Sequence, residues 1–135
     1  MFEARQGKEI VVKLGNRIGL LFDIFKPISE RGISILAVCG VASGDESVIR
    51  LVTDDNLRAM DVLNECEYLV VEEEDVILLE LPHKPGMLKR ITHALASEEI
   101  DVRQIYGSAL PGQEKSLVVL RTSNDGHALL RLNKV

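Results

Sequence analysis

The sequence predicts an α+β fold built from two βαββαβ units, each an antiparallel four-stranded sheet with two helices on one face. Two observations lead to this prediction. The chain repeats itself at an offset of 67 residues, which places Gly19 and Ile24 on Gly86 and Ile91. Within each copy, strand-like stretches and segments with helical spacing of apolar residues follow one another in the same order.

The repeat extends well past this first segment. It passes through a two-residue insertion in the second copy, after which Thr53 falls on Thr122. Similarity at a fixed offset is typical of a duplicated structural unit. The other matched pairs are Leu14 with Leu81, Leu21 with Leu88, Ile28 with Leu95, Ile33 with Ile100, Ile35 with Val102, Gly40 with Gly107 and Val48 with Leu117.

The first unit is predicted to begin with a strand over residues 8–14, "KEIVVKL", which is rich in β-branched residues. A glycine turn follows, and then a helix with Leu21, Ile24 and Ile28 at helical spacing. A second helix is expected to begin at the capping residue Asp54. Further strands are predicted over 33–42, 47–53 and 67–73, with Leu57, Met60 and Leu63 on the apolar face of the second helix.

The second unit follows the same order as far as its second helix, which is expected to begin at Ser123. The residues after that helix leave no room for a fourth strand, so the unit is expected to lack its last strand. The first strand, 75–81, would then lie at an open sheet edge unless another element or subunit covers it. The other elements are strands over 100–109 and 116–122 and a helix with Leu88, Ile91 and Leu95 on its apolar face.

The two domains are predicted to span residues 1–74 and 75–135. The acidic run "EEED" at 72–75 separates the two copies of the repeat, and the charge changes there. Residues 1–74 contain eight Lys and Arg against fourteen Asp and Glu, whereas residues 75–135 contain eight against seven. This step in charge favours a domain junction at the acidic run.

Composition favours a cytoplasmic globular protein. Hydrophobic residues make up 46% of the chain, and no apolar run approaches the ~20 residues of a membrane-spanning helix. The start "MFEARQGKEI" lacks the pattern of a secretion signal. Cys39 and Cys66 are far apart in sequence and are expected to be reduced and mostly buried. The net charge of −5 argues against nucleic acid as a partner.

The repeated glycine turn points to a small-molecule site. Glycine lets a ligand approach where a Cβ would clash, and the helix after it presents unpaired N–H groups to a carboxylate. A tight turn needed only for the fold explains the glycine equally well. A charge at a helix N-terminus contributes about 0.3–1 kcal/mol, whereas millimolar affinity needs about 4 kcal/mol. Apolar contacts and polar groups such as Asn16 and His83 would therefore have to contribute.

These residues resemble the ACT domain, a regulatory module that senses small molecules. "LPHKPGMLKRITHALASEEIDVRQI" (81–105) matches the family pattern closely, and "LGNRIGLLFDIFKPISERGISILAV" (14–38) matches it without the proline before Gly19. The resemblance covers nearly the whole chain and implies two ferredoxin-like units. The chain is similar to a stand-alone tandem ACT protein, which implies a regulator that is not an enzyme and carries no cofactor or metal.

The resemblance implies that an amino acid binds between paired domains, where the loop after the first strand of one domain faces the second strand of its neighbour. It also implies a homodimer and a regulated enzyme partner. Which amino acid binds, and whether both sites are competent, stays open. Carried onto this sequence, the loops comprise Asn16, Arg17, Ile18 and Gly19 and also His83, Lys84, Pro85, Gly86 and Met87, and the strands comprise Leu36, Ala37 and Val38 and also Gln104, Ile105 and Tyr106.

Two other functions of βαββαβ units fit the residues poorly. RNA binding needs aromatic side chains on the central strands, and residues 47–53 and 116–122 contain none. Metal carriage needs a CxxC pair or a His/Cys cluster, whereas His83, His93 and His127 are dispersed along the chain.

Two alternatives stay open beside the regulatory hypothesis. Arg17 beside Asn16 could hold a phosphate, as in acylphosphatase-like enzymes, with Asn56 or Asn64 to orient water, although nothing in their spacing singles these out. A ligand-free module that pairs with another polypeptide through an exposed sheet edge is the other. The preferred hypothesis is an allosteric regulatory protein that binds an amino acid and has no catalytic activity.

Overall fold

The structure is a computed structural model that describes residues 3–66 and 70–135. This part of the chain forms six strands and four helices, which confirms the predicted α+β class. In chain order they are β1 (Glu3–Gly15), α1 (Leu20–Glu30), β2 (Ile35–Ser43), β3 (Glu46–Thr53), α2 (Asn56–Glu65), β4 (Val70–Pro82), α3 (Met87–Ser97), β5 (Val102–Ser108), β6 (Lys115–Thr122) and α4 (Asp125–Leu132).

The chain forms two compact units. The first unit is Lys8–Glu74, and the second unit combines the described residues 3–7 with Asp75–Val135. One division between the units lies between residues 74 and 75, within the acidic run 72–75. Residues 3–7, which we call the leader, belong to the second unit. The boundaries predicted from the sequence assigned these residues to the first unit.

The first unit has neighbouring strands in the order β2-β3-β1-β4. Strand β3 runs antiparallel to both β1 and β2, with Ile10 opposite Leu51. Alternate residues of β1 and β3 face both helices, so one hydrophobic core lies between sheet and helices. Residues 67–69 of the predicted fourth strand lie outside the described residues, and 70–73 form the start of β4. Fully buried core residues here are Ile10, Ile24, Ile28, Leu51 and Leu63.

The helix faces differ in detail from the sequence prediction. In α1 the buried residues are Leu20, Ile24 and Ile28, so the predicted Leu21 is 44% exposed. In α2 the predicted Leu57 is exposed because the side that packs on the core carries Ala59, Val62 and Leu63. The prediction of these two leucines as core residues was wrong.

The second helices begin one residue later than predicted. The caps are Asp55 and Asn124, whose side chains accept hydrogen bonds from the amides of Arg58 and His127. The predicted caps instead form hydrogen bonds with the loop before the second strand of each unit. Asp54 accepts from the amide of Ser34, and Ser123 accepts from the amide of Asp101. Adjacent residues with capping side chains made the choice between them ambiguous in the sequence.

The second unit has neighbouring strands in the order β1-β4-β6-β5. Its β4 segment therefore has no open edge, because residues 3–7 of β1 occupy the position of the absent fourth strand. Arg5 forms an ion pair with Glu80 at 3.3 Å, and Gly7 lies against Leu78, where a Cβ would come within 2.6 Å of a leucine methyl. These contacts progress in opposite directions along the strands, as in an antiparallel pair.

The core of the second unit repeats that of the first. Buried residues of β4 and β6 pack against α3 and α4, and Ala4 of the leader joins them. The largest are Ile77, Leu79, Leu81, Ile91, Leu95, Leu120 and Leu132.

The two cysteines are free thiols, but they are less buried than predicted. Cys39 is half-buried because β2 lies at a sheet edge, and Cys66 is exposed at the end of α2. Over the described residues, none of the helices has the length and apolar character needed to cross a membrane.

Candidate functional site

The two repeated glycines occupy the same backbone conformation at the start of equivalent helices. Gly19 precedes α1 with φ +85°, and Gly86 precedes α3 with φ +90°. Both values lie in the left-handed region, which side chains other than glycine adopt only at a cost. An ideal Cβ on either glycine would meet no atom within 4 Å, so open space lies directly above each turn. We call these turns the first corner and the second corner.

Each corner leaves backbone donors exposed at the start of its helix. The first regular helical bonds run from the amide of Asp23 to the carbonyl of Gly19 and from the amide of Arg90 to the carbonyl of Gly86. In the described structure no side chain caps either helix. In α1 the Leu20 amide donates to the Arg17 carbonyl at 3.3 Å. The remaining first-turn amides of the two helices, with the positive end of the helix dipole, are available to an anion.

A cavity lies at each corner, between the helix start and the end of the edge strand of the same unit. The first pocket has a volume of about 280 Å³ and the second about 410 Å³. The first pocket is lined by Asn16, Arg17, Gly19, Leu20, Leu21, Phe22, Gly40, Val41, Ala42, Ser47 and Ile49. The second is lined by Leu81, Pro82, His83, Lys84, Pro85, Gly86, Met87, Leu88, Lys89, Ile105, Gly107, Ser108, Ala109, Ser116 and Val118.

The two pockets occupy equivalent positions of the duplication. Every residue that lines the first pocket has its counterpart, at the offset of the repeat, in the lining of the second. Leu21 and Leu88, predicted as core residues, form part of these walls and are 44% and 51% exposed. The duplication has thus reproduced a cavity as well as a fold.

The polar groups of the first pocket are engaged within the unit. Ser47 donates its hydroxyl hydrogen to Asn16 Oδ1 at 2.9 Å, and the backbone amide of Asn16 donates to the Asp45 carbonyl at 2.7 Å. The guanidinium of Arg17 forms an ion pair with the carboxylate of Asp23. The first pocket therefore presents few unused polar atoms to a ligand.

The polar groups of the second pocket are less engaged. The backbone amide of His83 donates to the Glu114 carbonyl at 2.9 Å, which fixes the loop against the β5–β6 hairpin. Over residues 3–66 and 70–135, the side chains of His83, Lys84 and Lys89 take part in no hydrogen bond or ion pair. All three side chains are exposed and border the cavity.

Most of the predicted loop residues line these pockets. Asn16, Arg17 and Gly19 line the first, whereas Ile18 is fully exposed and lies outside it. In the second, the whole predicted loop takes part: His83, Lys84, Pro85, Gly86 and Met87.

The predicted strand residues are mostly outside the pockets of their own unit. Ile105 lines the second pocket, but Gln104 and Tyr106 alternate with it and face the other side of the sheet. Leu36, Ala37 and Val38 lie further along β2 from the first corner and line neither pocket. The expectation assigned these residues to the wall facing a neighbouring domain's loop.

Sequence reasoning missed the strand ends that line each pocket. In the first pocket these are Gly40, Val41 and Ala42, at the end of β2. In the second pocket they are the counterparts of these residues in the repeat, Gly107, Ser108 and Ala109. The repeated pair Gly40 and Gly107 was the available signal. At Gly107 a Cβ would approach the Leu117 carbonyl oxygen to 2.7 Å, so the backbone there requires glycine and leaves the pocket floor without a side chain.

The residues of the acylphosphatase-like alternative have other roles. Arg17 is paired with Asp23, and Asn56 accepts hydrogen bonds from the amide and hydroxyl of Thr53 while donating to the Lys8 carbonyl. Asn64 is exposed on α2. Within the described ranges, His, Cys, Asp and Glu side chains form no group of three or more that could hold a metal ion.

Comparison with known proteins gives a family model and several similar structures. The model of the ACT domain pair matches residues 7–133. No curated protein shows a significant sequence match.

Three solved structures illustrate the likeness. Protein BT0572 from Bacteroides thetaiotaomicron has a TM-score of 0.88 and 24% identity, covering 97% of this chain and 89% of that chain. The ligand-free regulatory subunit of aspartate kinase from Thermus thermophilus has a TM-score of 0.68 and 13% identity, covering 98% and 95%. The corresponding subunit from Thermus flavus has a TM-score of 0.60 and 14% identity, covering 99% and 94%. The TM-scores establish a shared fold, and at identities this low the likeness shows the fold alone.

Proposed function

The chain belongs to the ACT domain pair family, and we propose that it is a cytoplasmic, non-catalytic regulatory protein that binds an amino acid at its corner pockets. One observation carries this proposal. Two cavities lie at equivalent positions of a duplication, each lined by a left-handed glycine at an uncapped helix start. A turn needed only for the fold would not require a cavity in both copies.

The second pocket offers what the two ends of an amino acid need. Its carboxylate would accept hydrogen bonds from the first-turn amides of α3, where Gly86 lacks a Cβ to obstruct the approach. The hydroxyl oxygens of Ser108 and Ser116, which line the pocket, are candidate acceptors for its ammonium group.

Apolar contacts would supply part of the remaining affinity. Leu88 and Ile105 line the second pocket and are 51% and 44% exposed, so a ligand side chain that covers them removes apolar area from water. Such burial contributes about 25 cal/mol per Å². A few tens of Å² on each residue contribute about 1–2 kcal/mol, and the helix terminus adds about 0.3–1 kcal/mol. Hydrogen bonds to the charged groups of the ligand must supply the rest of the about 4 kcal/mol that millimolar affinity needs.

We further propose that the pockets are closed by a second copy of the chain. Both cavities are lined in part by the ends of the edge strands, β2 in the first unit and β5 in the second. Exposed apolar residues surround the first corner, among them Ile18, Phe22 and Val41. A homodimer that buries these residues and covers the pockets would couple ligand binding to assembly, and through assembly to a regulated enzyme.

Thermal unfolding in the presence of each common amino acid tests the proposal. A ligand present at 100 times its dissociation constant stabilises the folded chain by about 2.7 kcal/mol. We expect a rise in melting temperature with at least one amino acid. If none of them raises it, the chain does not sense amino acids, and a ligand-free interaction module becomes the better account.

A blocking substitution assigns the effect to the second pocket. Ser108→Trp places a bulky side chain in the pocket mouth from an exposed position, so the fold should tolerate it. Ser43→Trp is the matched control, because Ser43 is likewise exposed at the end of an edge strand but lines neither described pocket. We expect only Ser108→Trp to remove the ligand-induced shift. Equal loss in both variants would contradict binding at this pocket.

The interaction module remains a second candidate, and the exposed apolar residues at the first corner favour it. Ile18 is fully exposed and Phe22 is mostly exposed, which is unusual for side chains with no partner to contact. Sedimentation of the chain with and without amino acids separates the two functions. A ligand-independent dimer combined with no thermal shift would identify the module.

A further inference from the structure

The two corners differ sharply in charge although their cavities are equivalent. At the first corner, the one cation in the loop, Arg17, is neutralised by Asp23. At the second corner, the position of Asp23 is taken by Arg90 and the position of Phe22 by Lys89, and Lys84 stands where Arg17 stood. The two corners therefore have equivalent cavities, but these positions carry no net charge at the first corner and three positive charges at the second.

Within the described part of the chain, these three cations have no partners of opposite charge. Over the described ranges, Lys84, Lys89 and Arg90 form no ion pair, and no carboxylate lines the second pocket. Glu80, in the lining of an adjacent cavity, is paired with Arg5 at 3.3 Å.

A second cavity at the same corner widens the basic surface. It has a volume of about 460 Å³ and lies on the outer side of the α3 helix start. It is lined by Lys84, Pro85, Gly86, Met87, Lys89, Arg90 and His93. Together with the helix N-terminus, these side chains give one continuous region of positive potential.

A positive rim without a carboxylate disfavours a ligand with a cationic side chain and gives no added affinity to a neutral zwitterion. A ligand with two carboxylates gains from both features. One carboxylate can accept from the first-turn amides while the other lies near Lys84 and Lys89, which line the pocket, and Arg90 adds to the positive potential from the adjacent cavity. We infer that the second corner binds a small dicarboxylate, with acidic amino acids as its first candidates. This inference rests on the proposed function, which it deepens by specifying the ligand class.

The inference predicts one such site per chain. The first corner has a neutral rim and a smaller cavity, about 280 Å³ against about 410 Å³. Its polar groups are already engaged with one another. Titration should therefore give a stoichiometry near one dicarboxylate per chain.

Isosteric pairs of probes test the charge requirement directly. Calorimetric titrations would compare glutamate with glutamine and aspartate with asparagine, because each pair differs in the carboxylate alone. We expect the acidic member to bind at least tenfold more tightly, and we expect its affinity to fall as salt is raised from low to high ionic strength. Succinate, which has two carboxylates and no ammonium group, shows whether the amino group is recognised.

A charge swap locates the effect. Lys89→Phe combined with Arg90→Asp gives the second corner the residues of the first at exposed helix positions. Removing one exposed charge changes affinity by about 2- to 5-fold, so the swap should weaken glutamate binding by more than tenfold and abolish the preference for glutamate over glutamine. Lys26→Gln on α1 removes a charge from the other unit and should have no effect.

Each outcome distinguishes this inference from the proposed function. If glutamine, asparagine or lysine binds as well as glutamate, the inference is wrong and amino-acid sensing stands. If succinate binds as tightly as aspartate, the dicarboxylate inference stands and recognition of the amino group fails. If none of these probes binds, the inference fails, and thermal unfolding with all the common amino acids decides whether the proposed function stands.

Discussion

Replacing Gly86 by alanine should separate the cost to the fold from the cost to the ligand. At φ +90°, alanine is held in the left-handed region, which costs about 1–2 kcal/mol. Loss of backbone freedom in the unfolded chain offsets about 0.4–1 kcal/mol of this. The new Cβ meets no protein atom within 4 Å, so no clash adds to the cost. The net destabilisation should be about 1 kcal/mol.

Gly112 provides a matched control for this substitution. It has φ +86°, its Cβ would also meet nothing within 4 Å, and it lies in the β5–β6 hairpin outside the lining of the second pocket. Gly112→Ala should therefore lose the same stability as Gly86→Ala. The open space above Gly86, unlike that above Gly112, is where the ligand carboxylate is proposed to lie.

Urea unfolding measures the first quantity and the ligand-induced thermal shift measures the second. We expect both variants to lose about 1 kcal/mol, which lowers the melting temperature by about 4 °C in a chain of this size. Only Gly86→Ala should lose the shift with ligand. If Gly86→Ala keeps it, or Gly112→Ala loses it, the reasoning about the corner is refuted.

Three further predictions concern the fold. Arg50→Met should destabilise the first unit by about 3 kcal/mol in urea unfolding. The substitution leaves the fully buried Glu9 without the guanidinium that it contacts at 2.9 Å. A cost below about 1 kcal/mol would show that the ion pair contributes little to stability. Burial lowers the pKa of Arg50, but hydrogen bonds to Glu9 and Glu74 and their charges outweigh this and raise it, so its charge should not titrate in such experiments. Removal of the segment up to Gly7 should uncover the β4 edge and cause self-association on gel filtration, and an unchanged monomer–dimer balance would contradict the role of the leader. Asn124→Ala should cost about 1 kcal/mol in urea unfolding, because it removes the cap of α4. Ser123→Ala should instead affect the loop at Asp101, whose amide donates to the Ser123 hydroxyl. Equal effects of the two variants on helicity, measured by circular dichroism, would argue against Asn124 as the cap.

The sequence contained enough information for the order of elements and for the corners. The offset repeat aligned strands, helices and glycine turns, and periodicity assigned each its type. These are local signals, carried by residues close in the chain. The loop residues of the second pocket were predicted for the same reason, since the turn from β4 to α3 is a single continuous segment, 82–87.

The leader could not be placed from the sequence because its pairing is not local. Residues 3–7 lie about seventy positions from their partners in β4, and their polar composition carries no core pattern. The ends of β2 and β5 were missed for a similar reason. Their place in the pocket depends on how the edge strand packs beside the helix start, which periodicity does not report.

Leu21 and Leu88 show a limit of hydrophobic patterns. Both fit the helical spacing of a core residue, but each helix buries the neighbouring residue, Leu20 or Met87, and leaves the leucine at the pocket wall. A binding wall and a core face have the same composition. Only the three-dimensional structure distinguishes them.

Backbone amide chemical shifts recorded during a titration with glutamate test the central claim most directly. We predict that the largest changes occur at the second corner, in the amides of Gly86, Leu88 and Lys89, and at the end of β5, in those of Gly107 and Ser108. Changes centred elsewhere, or none at saturating concentrations of any amino acid, would contradict it.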